Sequence, residues 1–364
     1  MIRILHIVPN MQAGGLETLI MSWYRNIDRS KVQFDFLVHY QGKFFYDDEI
    51  ERLGGKIYHL SVRDDNNFIK YLHDLDSFFK EHREYKIVHG HMESLGQFYF
   101  RAAKKYGVSV RIAHSHNSAT EPTLKGKVKG ILAKGFPKYA THCFACSELA
   151  GQFMFGDRDF KVIKNAIDLS RFQYDEKIRT EMRAELNLTD KFVIGHVGRF
   201  CTQKNHKYLI DVFEQIHKRN SNAILLLIGK GELLEEVKAY VAEKSLSGCV
   251  RFLGVRDDVN KLYDAMDVFV FPSIFEGLGI VAIEAQESRL MTVCSDVVPK
   301  EANVTEYYKA ISLQESPEKW AESICKYADG YEKKDVTDKI RNAGYDIRKS
   351  ASMLQQFYQG VLTE

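Results

Sequence analysis

The sequence predicts an α/β fold of two successive parallel-sheet domains, and three observations carry that reading. The chain has 364 residues, too many for one ordinary hydrophobic core and enough for two. Short apolar runs of strand length alternate with longer helix-period segments from one end to the other, the βαβ rhythm of a parallel sheet covered by helices. That rhythm starts afresh about halfway along, after the charged stretch YDEKIRTEMRAELNLTD.

In the first series the expected strands are 2–8, 34–38, 56–60, 87–90, 108–113 and 142–145, with amphipathic stretches at 16–26, 48–53, 68–83 and 95–106 between them. The second series has strands at 192–197, 223–228, 250–253, 268–271 and 291–294 and helices at 207–219, 233–244 and 280–288. The join falls within 165–190, which divides the chain into Rossmann-like domains at 1–166 and 167–344. A helical segment at 345–364 is expected to cross back to the first domain. Ligands of open parallel sheets bind beyond the carboxyl ends of the strands, so the informative residues should follow strands.

Bulk properties exclude several classes. Hydrophobic residues make up 45% and charged residues 27%, and the formal net charge is only +2, so no global field marks a nucleic-acid binder. Six cysteines in so long a chain make no disulfide framework, and the lone CxxC of Cys143 and Cys146 reads as a buried strand. The start, MIRILHIVPN, lacks a signal-peptide pattern, and no apolar run approaches the roughly 20 residues of a membrane span. A cytoplasmic protein is expected, possibly one that touches a membrane surface.

The segment FPSIFEGLGIVAIEAQ, 271–286, carries the strongest signal. A strand ends, Pro272 opens a loop, and a helix begins near Gly279. Gly277, Leu278 and Gly279 let the backbone approach a ligand, and the helix start offers unpaired N–H groups, together a seat for a diphosphate. Glu276 precedes the helix and Glu284 lies within it, about 7 Å along the axis from Gly279. Two carboxylates so placed can hold the hydroxyls at opposite ends of one extended ligand; the bland alternative is a loop charge and a helix-surface charge. In VIGHVGRFCTQKNH, another strand ends at a glycine, and Arg199 and Lys204 follow before a helix, cations suited to a diphosphate leaving group.

The NMQAGGLET turn after the first strand places Gly14 and Gly15 at a helix start and is not the GxGxxG of a nicotinamide dinucleotide fold. The IGKGE run reads as a tight turn. In RIAHSHNS, His114 and His116 are expected to divide, one entering the cleft and the other packing inside; no third and fourth ligand accompany them at metal-site spacing. A cleft histidine suits hydrogen bonding or acid/base work near pH 7. The run EPTLKGKVKGILAKGFPK, with Lys125, Lys127, Lys129, Lys134 and Lys138 among Leu124, Val128, Ile131, Leu132 and Phe136, is read either as a basic membrane-facing helix or acceptor site, or as a solvated face.

Taken together, the GG turn, the His116 region, NAID at Asn165, Arg199 with Lys204, and the Glu-x7-Glu of Glu276 and Glu284 resemble family 4 of the retaining glycosyltransferases, over nearly the whole chain. Stretches such as NMQAGGLET and IAHSHN are similar to capsule and exopolysaccharide transferases of bacteria. The resemblance implies the GT-B fold, two facing Rossmann-like domains with a donor-binding cleft, and transfer from a UDP- or GDP-sugar to a saccharide or polyprenyl-diphosphate-linked acceptor. Arg199 and Lys204 would then bind the donor diphosphate with amides at Gly14, Gly15 and Gly277 to Gly279. Glu284 would hold the ribose, Glu276 would face the sugar hydroxyls, and His116 would sit near the sugar, with His114 second. It also implies front-face retention assisted by the leaving phosphate, with no cofactor and no metal. The DxD strings at Asp74 and Asp157 are accordingly read as surface charges. This chain has Asn-Ala-Ile-Asp where the family shows Asn-Gly-Ile-Asp, and VVPKEANVT where a Gly-Gly-x-x-Glu-like turn is frequent. The alternatives are a nucleotide-sugar epimerase of the same fold and a non-catalytic partner subunit.

Overall fold

The structure, a computed structural model, describes residues 1–60, 67–119 and 123–362. The chain forms two compact units, unit 1 of Met1–Ala166 with Ile347–Glu364 and unit 2 of Ile167–Asp346. Unit 1 runs β1 (Ile2–Val8), α1 (Gly15–Asn26), β2 (Val32–Val38), α2 (Asp47–Arg52), β3 (Ile57–His59), α3 (Phe68–Glu81), β4 (Ile87–Gly90), α4 (Gly96–Lys105), β5 (Val110–Ser115), α5 (Leu124–Ala133), β6 (His142–Ala145), α6 (Glu148–Phe155) and β7 (Lys161–Val162). Its strands are parallel, in the order β3-β2-β1-β4-β5-β6-β7.

The central strands β2, β4 and β5 are buried at every position, as strands covered on both faces must be. Every residue of β2 is buried, Asp35 included. That carboxylate is tolerated because it is saturated: Arg3 donates from Nε at 2.6 Å, Tyr85 Oη at 2.7 Å and the Lys56 N–H at 2.7 Å.

Unit 2 runs α7 (Leu169–Phe172), α8 (Glu176–Glu185), β8 (Phe192–Val197), α9 (His206–Arg219), β9 (Ala223–Ile228), α10 (Leu234–Glu243), β10 (Val250–Gly254), α11 (Val259–Ala265), β11 (Val268–Phe271), α12 (Ile280–Glu287), β12 (Met291–Ser295), β13 (Tyr308–Ile311), α13 (Pro317–Cys325) and α14 (Thr337–Asn342). The parallel order is β10-β9-β8-β11-β12-β13. The order reverses between β1 and β4 in one sheet and between β8 and β11 in the other, and in open sheets of this kind the crevice at the reversal is where ligands bind.

Each expected strand is present to within two residues at either end. The sheets hold two strands beyond those expected, β7 and β13. β7 has two residues; β13, YKAI, pairs only with β12 and is partly exposed, so its apolar signal is weak. Cys143, in β6, and Cys146, just after it, are buried.

The last helix, α15 (Ile347–Gly360), belongs to unit 1. Its Ile347, Ala351, Leu354 and Tyr358 join Trp23, Tyr24 and Phe34 in one core, and Trp23 Nε1 donates to Ser350 Oγ at 2.9 Å. The spacing of those four residues puts them on one face of the helix. Leu354→Ala should therefore destabilise unit 1 by about 2–5 kcal/mol. In thermal unfolding the unit 1 transition should move down while that of unit 2 stays in place.

Candidate active site

In unit 2, two loops meet beyond the carboxyl ends of β8 and β11. Gln203, in the loop after β8, ties them: its carbonyl accepts from the Ile274 N–H at 2.8 Å, and its Nε2 donates to the Phe275 carbonyl at 2.9 Å. Lys204 follows and donates from Nζ to Glu276 Oε1 at 2.6 Å. The pair is largely withdrawn from water, with the two side chains 16% and 7% exposed. The ammonium also lies 4.7 Å from the centre of the Phe271 ring, a cation–π contact that suits a half-desolvated charge.

Gly198 is small for a packing reason. A Cβ there would come 2.9 Å from His196 Nε2 and 3.2 Å from Lys204 Cγ. The His196 ring is pinned by a 2.9 Å hydrogen bond from Nδ1 to the Val270 carbonyl, and burial pushes its pKa down to about 4. The IGKGE run is a turn and more: Gly229 has φ +139°, and a Cβ on it would strike the Gly198 carbonyl. The close approach of the two loops thus rests on bare backbone.

Gly279 precedes α12 in the left-handed conformation, φ +81°, which an L side chain reaches only at a cost of roughly 1–2 kcal/mol. A Cβ on it would come 3.7 Å from Glu276 Cγ, so the start of α12 lies beside Glu276, and the first turn of a helix leaves N–H groups for an anion. One turn on, Glu284 accepts from Tyr263 Oη at 3.0 Å. Burial raises its pKa to about 7, against smaller opposite pulls from the Tyr263 hydrogen bond and Arg171. Tyr263 is a site residue that the sequence reading passed over; it lies in an ordinary amphipathic helix with no motif around it.

The structure thus brings Lys204 and Glu276 together beside the start of α12, a direct pairing that the sequence reading, with Lys204 on a diphosphate and Glu276 at sugar hydroxyls, did not include. Arg199 is elsewhere: it is exposed and donates from Nη2 to Glu232 Oε2 at 3.0 Å, on the loop after β9. That exposed pair contributes little to stability, so the guanidinium is cheaply released.

In unit 1, Gly14 and Gly15 start α1 as expected, with Gly14 at an ordinary φ of −131°. A Cβ on Gly15 would meet nothing within 4 Å, and one on Gly14 would meet the Glu17 carboxylate. Neither glycine is required by conformation.

The histidines require a correction. His114 and His116 do not divide; their rings stack with centroids 4.2 Å apart. Residues two apart on a strand share a face, and the backbone beyond Ser115 keeps that sense. Nor do they stand alone. His91 Nδ1 lies 2.9 Å from His116 Nε2, His6 Nδ1 lies 3.1 Å from His91 Nε2, and His89 Nε2 lies 3.1 Å from His114 Nδ1. His6, His89 and His91 form one triad, and His91, His114 and His116 another, in which ring nitrogens lie within 4.8 Å of each other. The additional imidazoles that linear spacing did not supply come from neighbouring strands. His114 is fully buried and His116 partly accessible. Burial pushes His6 and His116 down to about 3 and the other three well below their usual value, so all five rings are neutral. Glu93, also missed from sequence, accepts from Ser115 Oγ at 3.2 Å and from the His116 N–H at 3.4 Å.

The basic segment forms α5. Leu124, Val128 and Ile131 are 80%, 51% and 68% exposed at positions i, i+4 and i+7, an outward apolar stripe. Lys127 is exposed and Lys129 half-buried; the side chain of Lys125 lies outside the described residues. The DxD strings lie on the surface, with Asp76 paired to Lys105 and Asp157 and Asp159 exposed.

The profile of the family described as glycosyl transferases group 1 matches residues 178–345. EpsF of Bacillus subtilis, which carries a glycosyltransferase name, is 32% identical over 98% of this chain and 96% of its own. The chain belongs to the group 1 glycosyltransferases. This transferase is also 29% identical, over 64% of its length and 63% of the relative's, to an Escherichia coli enzyme named as a UDP-Gal:alpha-D-GlcNAc-diphosphoundecaprenol alpha-1,3-galactosyltransferase. The Anabaena protein HepE, solved with UDP and glucose, superposes with a TM-score of 0.78 over 100% of both chains at 17% identity. The transferase therefore has the GT-B fold.

Glu284 makes the site pH-dependent in a definite direction. Its carboxyl is half ionised at about pH 7, and the ionised form is the stronger acceptor for a hydroxyl. For a ligand whose hydroxyl Glu284 accepts, affinity measured by calorimetry should therefore rise as pH increases from 6 to 8. Glu284→Gln should bind more weakly and lose that dependence.

Proposed function

We propose that this glycosyltransferase is a retaining, metal-independent hexosyltransferase of family 4. Its donor is a UDP- or GDP-sugar, its acceptor a saccharide or polyprenyl-diphosphate-linked glycan, and its setting the cytoplasmic face of bacterial capsule or exopolysaccharide synthesis. The observation that carries the reading is the buried Lys204–Glu276 pair beside the start of α12. A half-desolvated ammonium next to helix-start amides fits a diphosphate, and a carboxylate beside that seat fits a hydroxyl-bearing group rather than another anion. The HepE complex and the name of the E. coli relative support a uridine donor, and the latter a lipid-linked acceptor.

In this reading the donor phosphates sit on the amides of Gly277, Leu278 and Gly279, with Lys204 and a released Arg199 neutralising them and the amides of Gly14 and Gly15 assisting. Glu284, with Tyr263, holds the ribose, and Glu276 orients the sugar. His116 contacts the sugar in preference to His114, because it is the less buried of the two. The bond from the anomeric carbon to the diphosphate oxygen breaks while the acceptor oxygen bonds to the same face of the sugar. The acceptor's proton passes to the departing phosphate oxygen, so no protein nucleophile is needed; the protein supplies position and charge. No cofactor enters this scheme.

A panel of nucleotide-sugars tests the donor: at about 100 times Kd a true donor should add roughly 2.7 kcal/mol of stability, seen as a thermal shift. Glu276→Gln should keep that shift and lose transfer by about 10²–10³; unchanged turnover would remove Glu276 from the mechanism.

The α5 stripe with Lys127 and Lys129 beside it suits an anionic bilayer surface that presents the acceptor. Reversing both lysines to Glu should weaken sedimentation with phosphatidylglycerol vesicles several-fold. Unaltered binding would return α5 to a solvated face.

A further inference from the structure

The loop that carries Glu276 has no helix or strand of its own from Pro272 to Gly279. Its residues Ser273, Ile274, Phe275 and Glu276 are nevertheless each tied to a neighbouring element. On one side, Ser295 Oγ, at the end of β12, donates to the Ser273 carbonyl at 2.6 Å. On the other, the loop after β8 makes the remaining ties. The Ile274 N–H donates to the Gln203 carbonyl at 2.8 Å, Gln203 Nε2 donates to the Phe275 carbonyl at 2.9 Å, and Lys204 Nζ donates to Glu276 Oε1 at 2.6 Å. β11 lies between β8 and β12 in the sheet, so the loop that follows it is gripped from both flanks.

These ties differ in what can break them. The bonds of Ser295 and Gln203 join neutral groups to the loop backbone, and both Ser273 and Ser295 are fully buried. The bond of Lys204 is an ion pair, and a ligand bearing a diphosphate and a hydroxyl competes for both of its ends. A donor that takes both ends removes that tie at the moment Glu276 has to be in place, and the loop then relies on the neutral ones. The turn carrying Lys204 is held separately, by the Lys204 N–H on the Cys201 carbonyl at 3.1 Å and the Asn205 N–H on the Thr202 carbonyl at 3.2 Å. The segment that depends on the neutral ties is therefore the one bearing the carboxylate.

We propose that Gln203 and Ser295 are positioning residues for transfer, a clamp that keeps Glu276 in place once the donor has drawn Lys204 away from it. This rests on the reading in which Lys204 meets the diphosphate and Glu276 the sugar. A positioning group displaced by about 1 Å can cost about 10²-fold in rate, so two neutral side chains that never meet the ligand in this reading can still govern turnover.

Hydrogen exchange of the full chain, free and with saturating UDP or GDP, reads the clamp through the Ile274 amide. In the unaltered protein that amide should stay protected when the nucleotide binds. Gln203→Met removes the side-chain donor at little change in size, and Ser295→Ala removes the hydroxyl. Each should leave the protection in place in the free protein, where the ion pair still holds, and lower it about 10-fold with nucleotide bound. In turnover of the nucleotide-sugar that the thermal-shift panel selects, each should lower kcat about 10- to 100-fold, with KM for that donor changed less than about twofold. In a Glu276→Ala background the same changes should cost less than about twofold more, because they act through the carboxylate. The clamp is overturned by an unchanged kcat in both variants, by equal losses with and without Glu276, or by protection that falls as much without nucleotide as with it. If Ser295→Ala does not fold, Gln203→Met, at a half-buried side chain, decides. Normal turnover in Glu276→Ala itself, or no binding of either nucleotide, would instead sink the placement of the donor at the ion pair, and the clamp with it.

Discussion

Unit 2 of this protein is organised around one ion pair largely withdrawn from water, Lys204 with Glu276. Neither charge could be held there alone, since an unpaired charge withdrawn from water costs several kcal/mol. Their partnership brings the end of one strand's loop to the start of another strand's helix. Around it the bare backbone of Gly198 and Gly229, the double hydrogen bond of Gln203 and the left-handed Gly279 all serve closeness. In the proposed reading the pair also defines what can be admitted: an anion exchanges for the carboxylate at the lysine, and a hydroxyl exchanges for the lysine at the carboxylate. A ligand carrying both groups a few ångströms apart satisfies both at once, and this is the chemistry of a sugar diphosphate.

Unit 1 solves a different problem with different means. Its sheet reverses between β1 and β4, so residues far apart in sequence, His6, His89 and His114, arrive side by side. Burial keeps them neutral, and each ring reaches another imidazole through one nitrogen, while His6 Nε2 and His114 Nε2 have no hydrogen-bond partner. Neutral imidazoles are well suited to this, being both donor and acceptor in a rigid ring.

How much of this could be read from the chain depended on range. Strand ends and helix starts are local, and the βαβ rhythm carried most of them; β13 was lost because YKAI is short, partly exposed and paired on one side only. Glu276, Gly277, Gly279 and Glu284 were legible because one short segment holds them all. Lys204 was legible by its place after a strand, but the same reasoning could not separate it from Arg199, which turns to Glu232. Tyr263 and Glu93 reach their sites from other elements and leave no mark in the local pattern. The histidine cluster escapes a linear reading for two reasons: the faces of His114 and His116 were assigned against the two-residue period of a strand, and the HGH at His89 was not set beside HSH. Only the strand order joins them.

The return of α15 to unit 1 has a bearing on how the chain is made. Unit 2 is continuous, so all of its strands and helices are available once residue 346 has left the ribosome. Unit 1 is not: Trp23 and Phe34 await Leu354 and Tyr358, translated more than 300 residues later. During synthesis the first-made half therefore carries an open apolar groove past the completion of the second. Over that interval unit 1 is open to aggregation, and α15 acts as its closing stitch.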